Sequence, residues 1–149
     1  MRPTFALVLI GVLIALAACS RPAPEPASKQ GVIEISGPAT TTSKHPLAKY
    51  IELAGFRLTE EKPGQLDVKF VAVNHSEAEL PELGLNVKMR TTASKPEEPP
   101  FAQFQAKVPA LRPLEIRDVD AKVATKLRIY ELPDWQFLRA EFDITSPAP

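Results

Sequence analysis

Beyond Gly31 the apolar residues of this chain return at every second position, in short runs cut by proline and glycine. That period puts alternate side chains on opposite faces of an extended backbone, so each run reads as a half-buried β-strand. The clearest run is Leu83, Leu85, Val87 and Met89, alternating with Gly84, Asn86, Lys88 and Arg90. Leu66, Val68, Phe70 and Ala72 form a second, entered through the turn Lys62-Pro63-Gly64-Gln65. Phe104, Ala106 and Val108 form a third; Val119, Ala121 and Val123 a fourth; Leu138, Ala140, Phe142 and Ile144 a fifth. Val32 to Ile35 makes a short sixth before Ser36-Gly37-Pro38, and a Thr-rich loop follows it. The seventh changes phase. Ile51 and Leu53 share one parity, Phe56 and Leu58 the other, which predicts a bulge or bend at Ala54-Gly55. No segment beyond Gly31 longer than a few residues shows helical spacing with caps. The expected fold is therefore all-β: a single antiparallel sandwich of about seven strands. Residues 31–146 suffice for one such core, leaving 147–149 as a tail. Trp135, close to Tyr130 and just after Leu132-Pro133-Asp134, is expected to plug one end of the sandwich.

The first thirty residues follow another rule. Arg2 starts a short positive region, and from Phe5 to Ala18 every residue is apolar or glycine. As a helix this run reaches roughly 21 Å, short of the roughly 30 Å hydrocarbon core. A positive start, a short apolar centre and a small-residue exit make a signal peptide, residues 1–18, rather than a stable span. Pro22, Pro24 and Pro26 then alternate through residues 20–30, which favours an extended tether reaching up to roughly 34 Å.

Removing the leader takes Arg2 from a balance of 18 basic and 18 acidic side chains, leaving one more acid than base. A near-neutral chain has no basic surplus with which to displace counterions from phosphates, which argues against nucleic acid as a partner. The single cysteine excludes an intrachain disulfide and any cysteine-based zinc cluster.

The leader ends in Leu16-Ala17-Ala18-Cys19, which resembles the lipobox of bacterial lipoproteins: a branched apolar residue, two small residues, then cysteine. The resemblance implies recognition of Leu16, Ala17 and Ala18 by a signal peptidase and cleavage before Cys19. It also implies a diacylglyceryl thioether on the Cys19 sulfur and an acylated amino group. More than one acyl chain is what stable anchoring requires. In the Gram-negative members Asp after the cysteine favours the inner membrane. Here the residue is Ser20, so in an organism with two membranes the expectation is the outer one, facing the periplasm. Residues 19–30 are then a lipidated tether.

The remainder resembles the immunoglobulin- or fibronectin-like sandwiches of small bacterial envelope proteins, loosely the FxLYD-type and late-embryogenesis-abundant-type modules. Two features carry this: Val71-Ala72-Val73-Asn74 closing a strand, and Leu111-Arg112-Pro113 ahead of the alternating run from Val119. The name-giving aromatic signature and the antibody-type cysteines are missing. The resemblance implies a fold, and a module for contact or spacing.

Residues suited to chemistry are few. The only histidines, His45 before Pro46 and His75 in Asn74-His75-Ser76, read as solvated loop residues. A zinc site would have to gather both with Glu77 or Glu79, and their spacing does not suggest one. Ser76 or Ser43 with His75 and Asp118 could be written as a triad, but no Gly-x-Ser-x-Gly elbow presents a nucleophile. Asp118 and Asp120, two apart, share a strand face and read as charges guarding a sheet edge. Asn74-His75-Ser76 fits a glycosylation triplet by coincidence. Glu77, Glu79 and Glu82, with Glu97 and Glu98, read as solvated loop tips. The expected protein is not an enzyme and needs no metal or cofactor. It is a lipid-anchored, periplasmic protein-binding or spacer module, or alternatively a small-ligand or glycan binder. Trp135, Tyr130 and His75 are the candidate surface residues.

Overall fold

A computed structural model describes residues 31–149. The expected signal peptide, Leu16, Ala17, Ala18, Cys19 and the expected tether lie outside the described residues. Eight strands follow in chain order: β1 (Ile33–Glu34), β2 (Thr40–Thr41), β3 (Ile51–Lys62), β4 (Gln65–Asn74), β5 (Leu83–Thr91), β6 (Ala102–Val108), β7 (Ile116–Ala124) and β8 (Leu138–Ser146). Three single-turn 3₁₀ helices, Pro46–Lys49, Ile129–Glu131 and Trp135–Phe137, join them. All seven expected strands are present. The eighth, β2, lies inside the expected Thr-rich loop.

The strands form two four-stranded sheets, ordered β1-β3-β4-β7 and β2-β8-β5-β6. The architecture is the expected all-β sandwich. The strand order differs from the immunoglobulin one, in which the second strand lies beside the fifth, whereas here β3 turns directly back on β4. The N-terminal segment changes sheets. β1 pairs antiparallel with β3, the chain turns at Gly37 (φ +83°), and β2 pairs parallel with β8. Gly55, at φ +64°, sits in the predicted bulge, where two residues of β3 oppose one of β4. The extra residue resets the parity, so Leu53, Phe56 and Leu58 all face inward.

The core forms between the sheets. Phe56, Leu58, Leu66, Val68 and Phe70 from one side meet Leu85, Val87, Met89, Phe104 and Phe142 from the other. Phe56 and Phe70 stack with ring centroids 4.9 Å apart, a favoured aromatic geometry. Trp135 does not plug an end. It is 51% exposed on its 3₁₀ turn, and Ile129, Leu132 and Leu138 fill the space expected for it. Three buried aliphatic side chains take the place expected for the indole.

Candidate interaction surfaces

The β3–β4 turn, the loop before β6, the segment between β7 and β8, and the entry of the chain at Gly31 share one end of the sandwich. Here Glu60, inward in parity but polar, organises the 3₁₀ turn Ile129–Glu131. Its carboxylate accepts from the Ile129 N–H at 3.3 Å and pairs with the Arg128 guanidinium. Glu131 accepts from the Arg128 N–H at 2.7 Å. Arg128 in turn covers the Tyr130 ring at 5.3 Å, a cation–π contact that holds the phenol outward. Tyr130, 64% exposed, and Trp135 line one cleft of about 190 Å³ with Gly31, Val32, Ile33 and Pro133. A shallower hollow of about 800 Å³ adjoins it, bounded by Thr59, Glu60, Glu61, Lys62 and Arg128.

The opposite end gathers the loop after β4, the turn before β7 and the C-terminus. It is built around Asn74, which is fully buried. Its amide nitrogen donates to the carbonyls of Ala78 (2.8 Å) and Arg112 (2.9 Å), and its oxygen accepts from the Ser76 N–H (2.9 Å) and hydroxyl (2.8 Å). Leu80 and Leu111 exchange backbone hydrogen bonds beside it, each 2.9 Å. Burial accounts for the sequence around it: Asn74 sews two loops together, so the triplet it starts offers no accessible amide.

Glu115 fastens the neighbouring turn. It accepts from the Arg112 N–H at 2.7 Å and pairs with Arg117. The hydrogen bond from Arg117, then that from the Arg112 backbone, holds its carboxyl down at about 2. Inside this turn Leu114 adopts φ +56°, its N–H donating to the Ser76 carbonyl at 3.1 Å. A non-glycine residue in that region carries steric strain. Leu114 and Ile116 are each 66% exposed, and Ile116 lies opposite Val73 on the outer face of β7. The sequence reading missed this pair, although two apolar residues in Pro113-Leu114-Glu115-Ile116 sit where a polar turn would be expected.

The candidate residues divide between the two ends. Tyr130 and Trp135 share the entry-end cleft, whereas His75 lies past the other end of β4, roughly 30 Å away at the rise of a ten-residue strand. His75 Nε2 meets Glu52 Oε2 at 2.7 Å on the surface, while the Ser76 hydroxyl is bonded to Asn74 and Ala78. Asp118 sits on the edge strand β7, and the structure does not join these three groups. Asp120 faces Lys69 at 3.6 Å on the same exposed face as Asp118.

His45 is not a solvated loop residue: it is 8% exposed. Its Nδ1 accepts from the Leu47 N–H at 3.2 Å and its Nε2 donates to the Pro147 carbonyl at 3.0 Å. It caps the turn Pro46–Lys49 and pins the C-terminal tail, two local tasks that bury the ring. Glu77, Glu79, Glu82, Glu97 and Glu98 are exposed, as expected. Among the described residues, no three His, Cys, Asp or Glu side chains converge as metal ligands. Compared with models of known protein families, with curated proteins and with solved structures, the chain matches none.

Proposed function

We propose that this chain is a lipid-anchored, non-catalytic module of the bacterial cell envelope, held at the outer membrane and facing the periplasm, whose sandwich binds or spaces a protein partner. Leu16-Ala17-Ala18-Cys19 and the proline tether support the anchor. One observation carries the partner reading: Leu114, held at φ +56° with two thirds of its surface in water beside an equally exposed Ile116. Local strain and exposed apolar area coincide in one turn, at the end of the domain away from the tether junction. His75, Glu52 and Arg112 lie around the pair, and an exposed apolar patch rimmed by polar groups marks an interaction surface.

In-cell photocrosslinking from position 114 tests this reading. A discrete protein adduct is expected from 114 and none from Gln105, on the outer face of the edge strand β6 in the other sheet; equal labelling from both would refute it. The anchor has its own test. Cys19→Ser should leave an unlipidated precursor that no longer partitions with detergent, and unchanged partitioning would remove the lipid.

A second reading, a small-ligand or glycan binder, draws on the cleft shared by Tyr130 and Trp135. It requires Trp135 fluorescence to respond saturably to soluble envelope glycans.

A further inference from the structure

We propose that the entry end of the sandwich is a membrane seat: Val32, Tyr130, Trp135 and Phe137 rest in the interfacial layer of a lipid surface. Eight large apolar side chains are exposed among the described residues, and five of them belong to this end: Val32, Leu127, Tyr130, Trp135 and Phe137. Three are aromatic. Val32, Tyr130 and Trp135 line the same cleft, so they form one surface rather than scattered single residues. Tryptophan and tyrosine combine an apolar ring with a polar N–H or O–H, which suits them to the boundary between headgroups and acyl chains.

The position of the chain entry selects the occupant. Gly31 lines this same cleft. The inference rests on the lipid anchor proposed above, which leaves residues 20–30 between the acylated cysteine and this point. A polyproline-like run of that length reaches roughly 34 Å, so the entry end is tethered within about that distance of the bilayer. Its charges fix the kind of lipid. Arg128 is paired with Glu60, Glu34 and Asp134 line the cleft, and Lys62 and Lys126 lie in the turns beside it, so charges of both signs border the aromatics. A zwitterionic interface fits it. A glycan fits less well. The cleft that holds both aromatics, at about 190 Å³, is below the roughly 300–1,000 Å³ of most ligand sites.

Trp135 is the only tryptophan in the chain, so its emission reports this surface alone. The full lipidated protein is reconstituted in phosphatidylcholine vesicles and compared with the Cys19→Ser form in buffer. The expected result is a blue-shifted Trp135 emission, quenching by lipids labelled near the headgroup, and acrylamide quenching reduced about threefold. Tyr130→Ser together with Val32→Ser, both at exposed positions, should still float with the vesicles but lose most of the lipid quenching. Flotation with a water-like Trp135 overturns the seat and leaves the anchor standing. Failure to float overturns both. Lipid quenching that survives the double substitution shows that the cleft does not make the contact, and a blue shift caused by soluble glycans without lipid assigns the cleft to them. Either result overturns the seat.

Discussion

Asn74 uses both ends of its amide: the nitrogen donates to the carbonyls of Ala78 and Arg112, in separate loops, and the oxygen accepts from Ser76. Because the Asn74 side chain is fully buried, truncation leaves the Arg112 carbonyl and the Ser76 N–H without their partner. Asn74→Ala should therefore cost about 2–4 kcal/mol in urea unfolding, above the range of an ordinary surface change. Leu114 makes the opposite forecast. Leu114→Gly relieves the left-handed strain while adding freedom to the unfolded chain, so stability should move by no more than about 1 kcal/mol. Capture of a partner at that end should fall sharply. A loss of capture accompanied by unfolding would show instead that Leu114 is structural. These two residues also show how much of each end was legible. Asn74 closed a motif visible in the sequence, but its burial depends on the loop around 111, which local pattern does not describe. Leu114 could be seen as apolar, yet its dihedral is imposed by Glu115 and Ser76 and has no signature of its own.

The long strands were legible because each is buried on one face, and burial writes itself into the sequence as period two. β2 was not. Thr40 and Thr41 are both exposed and pair through backbone alone, so no apolar alternation marks them. The change of phase at Ala54-Gly55 could be read because a bulge must shift parity, and Gly55 supplies the positive φ. A Cβ at Gly55 would have only Val71 Cγ2, at 3.9 Å, for company, so Gly55→Ala should be resisted by the dihedral rather than by crowding. A cost of about 1–2 kcal/mol in thermal unfolding is expected. The turn into β7 carries a pH dependence. Glu115 titrates at about 2 in the fold against an ordinary 4.5, through Arg117 first and the Arg112 N–H second. A lowered carboxyl pKa stabilises the fold fully above the unfolded value, and that contribution disappears as pH falls through the folded one. Stability of the native chain should decline between about pH 4.5 and 2, and Glu115→Gln should flatten that limb. An unchanged acid limb in the variant would show that other carboxylates set it.

As a whole the molecule has two unlike ends joined by one core. The entry end carries most of the exposed aromatic surface; the far end carries a polar knot with a small apolar tip. With no disulfide available to the described domain, the integrity of both ends depends on packing between the sheets. Phe70→Ala should cost about 3–5 kcal/mol and loosen both surfaces together in hydrogen exchange, because its ring stacks on Phe56 near the centre. Loosening confined to one end would show that the halves unfold separately.

The change of sheets by the N-terminal segment has a mechanical consequence. The chain enters at Gly31 and runs toward the far end, bonded first to β3 through Ile35 and Ala39 and then to β8 through Thr40 and Thr41. A load pulling Gly31 one way and the Leu114 turn the other acts along these strands, so it shears the bonds in parallel instead of unzipping them singly. It also divides the force between both sheets before either long hairpin is strained. A domain loaded in this way behaves as a clamp.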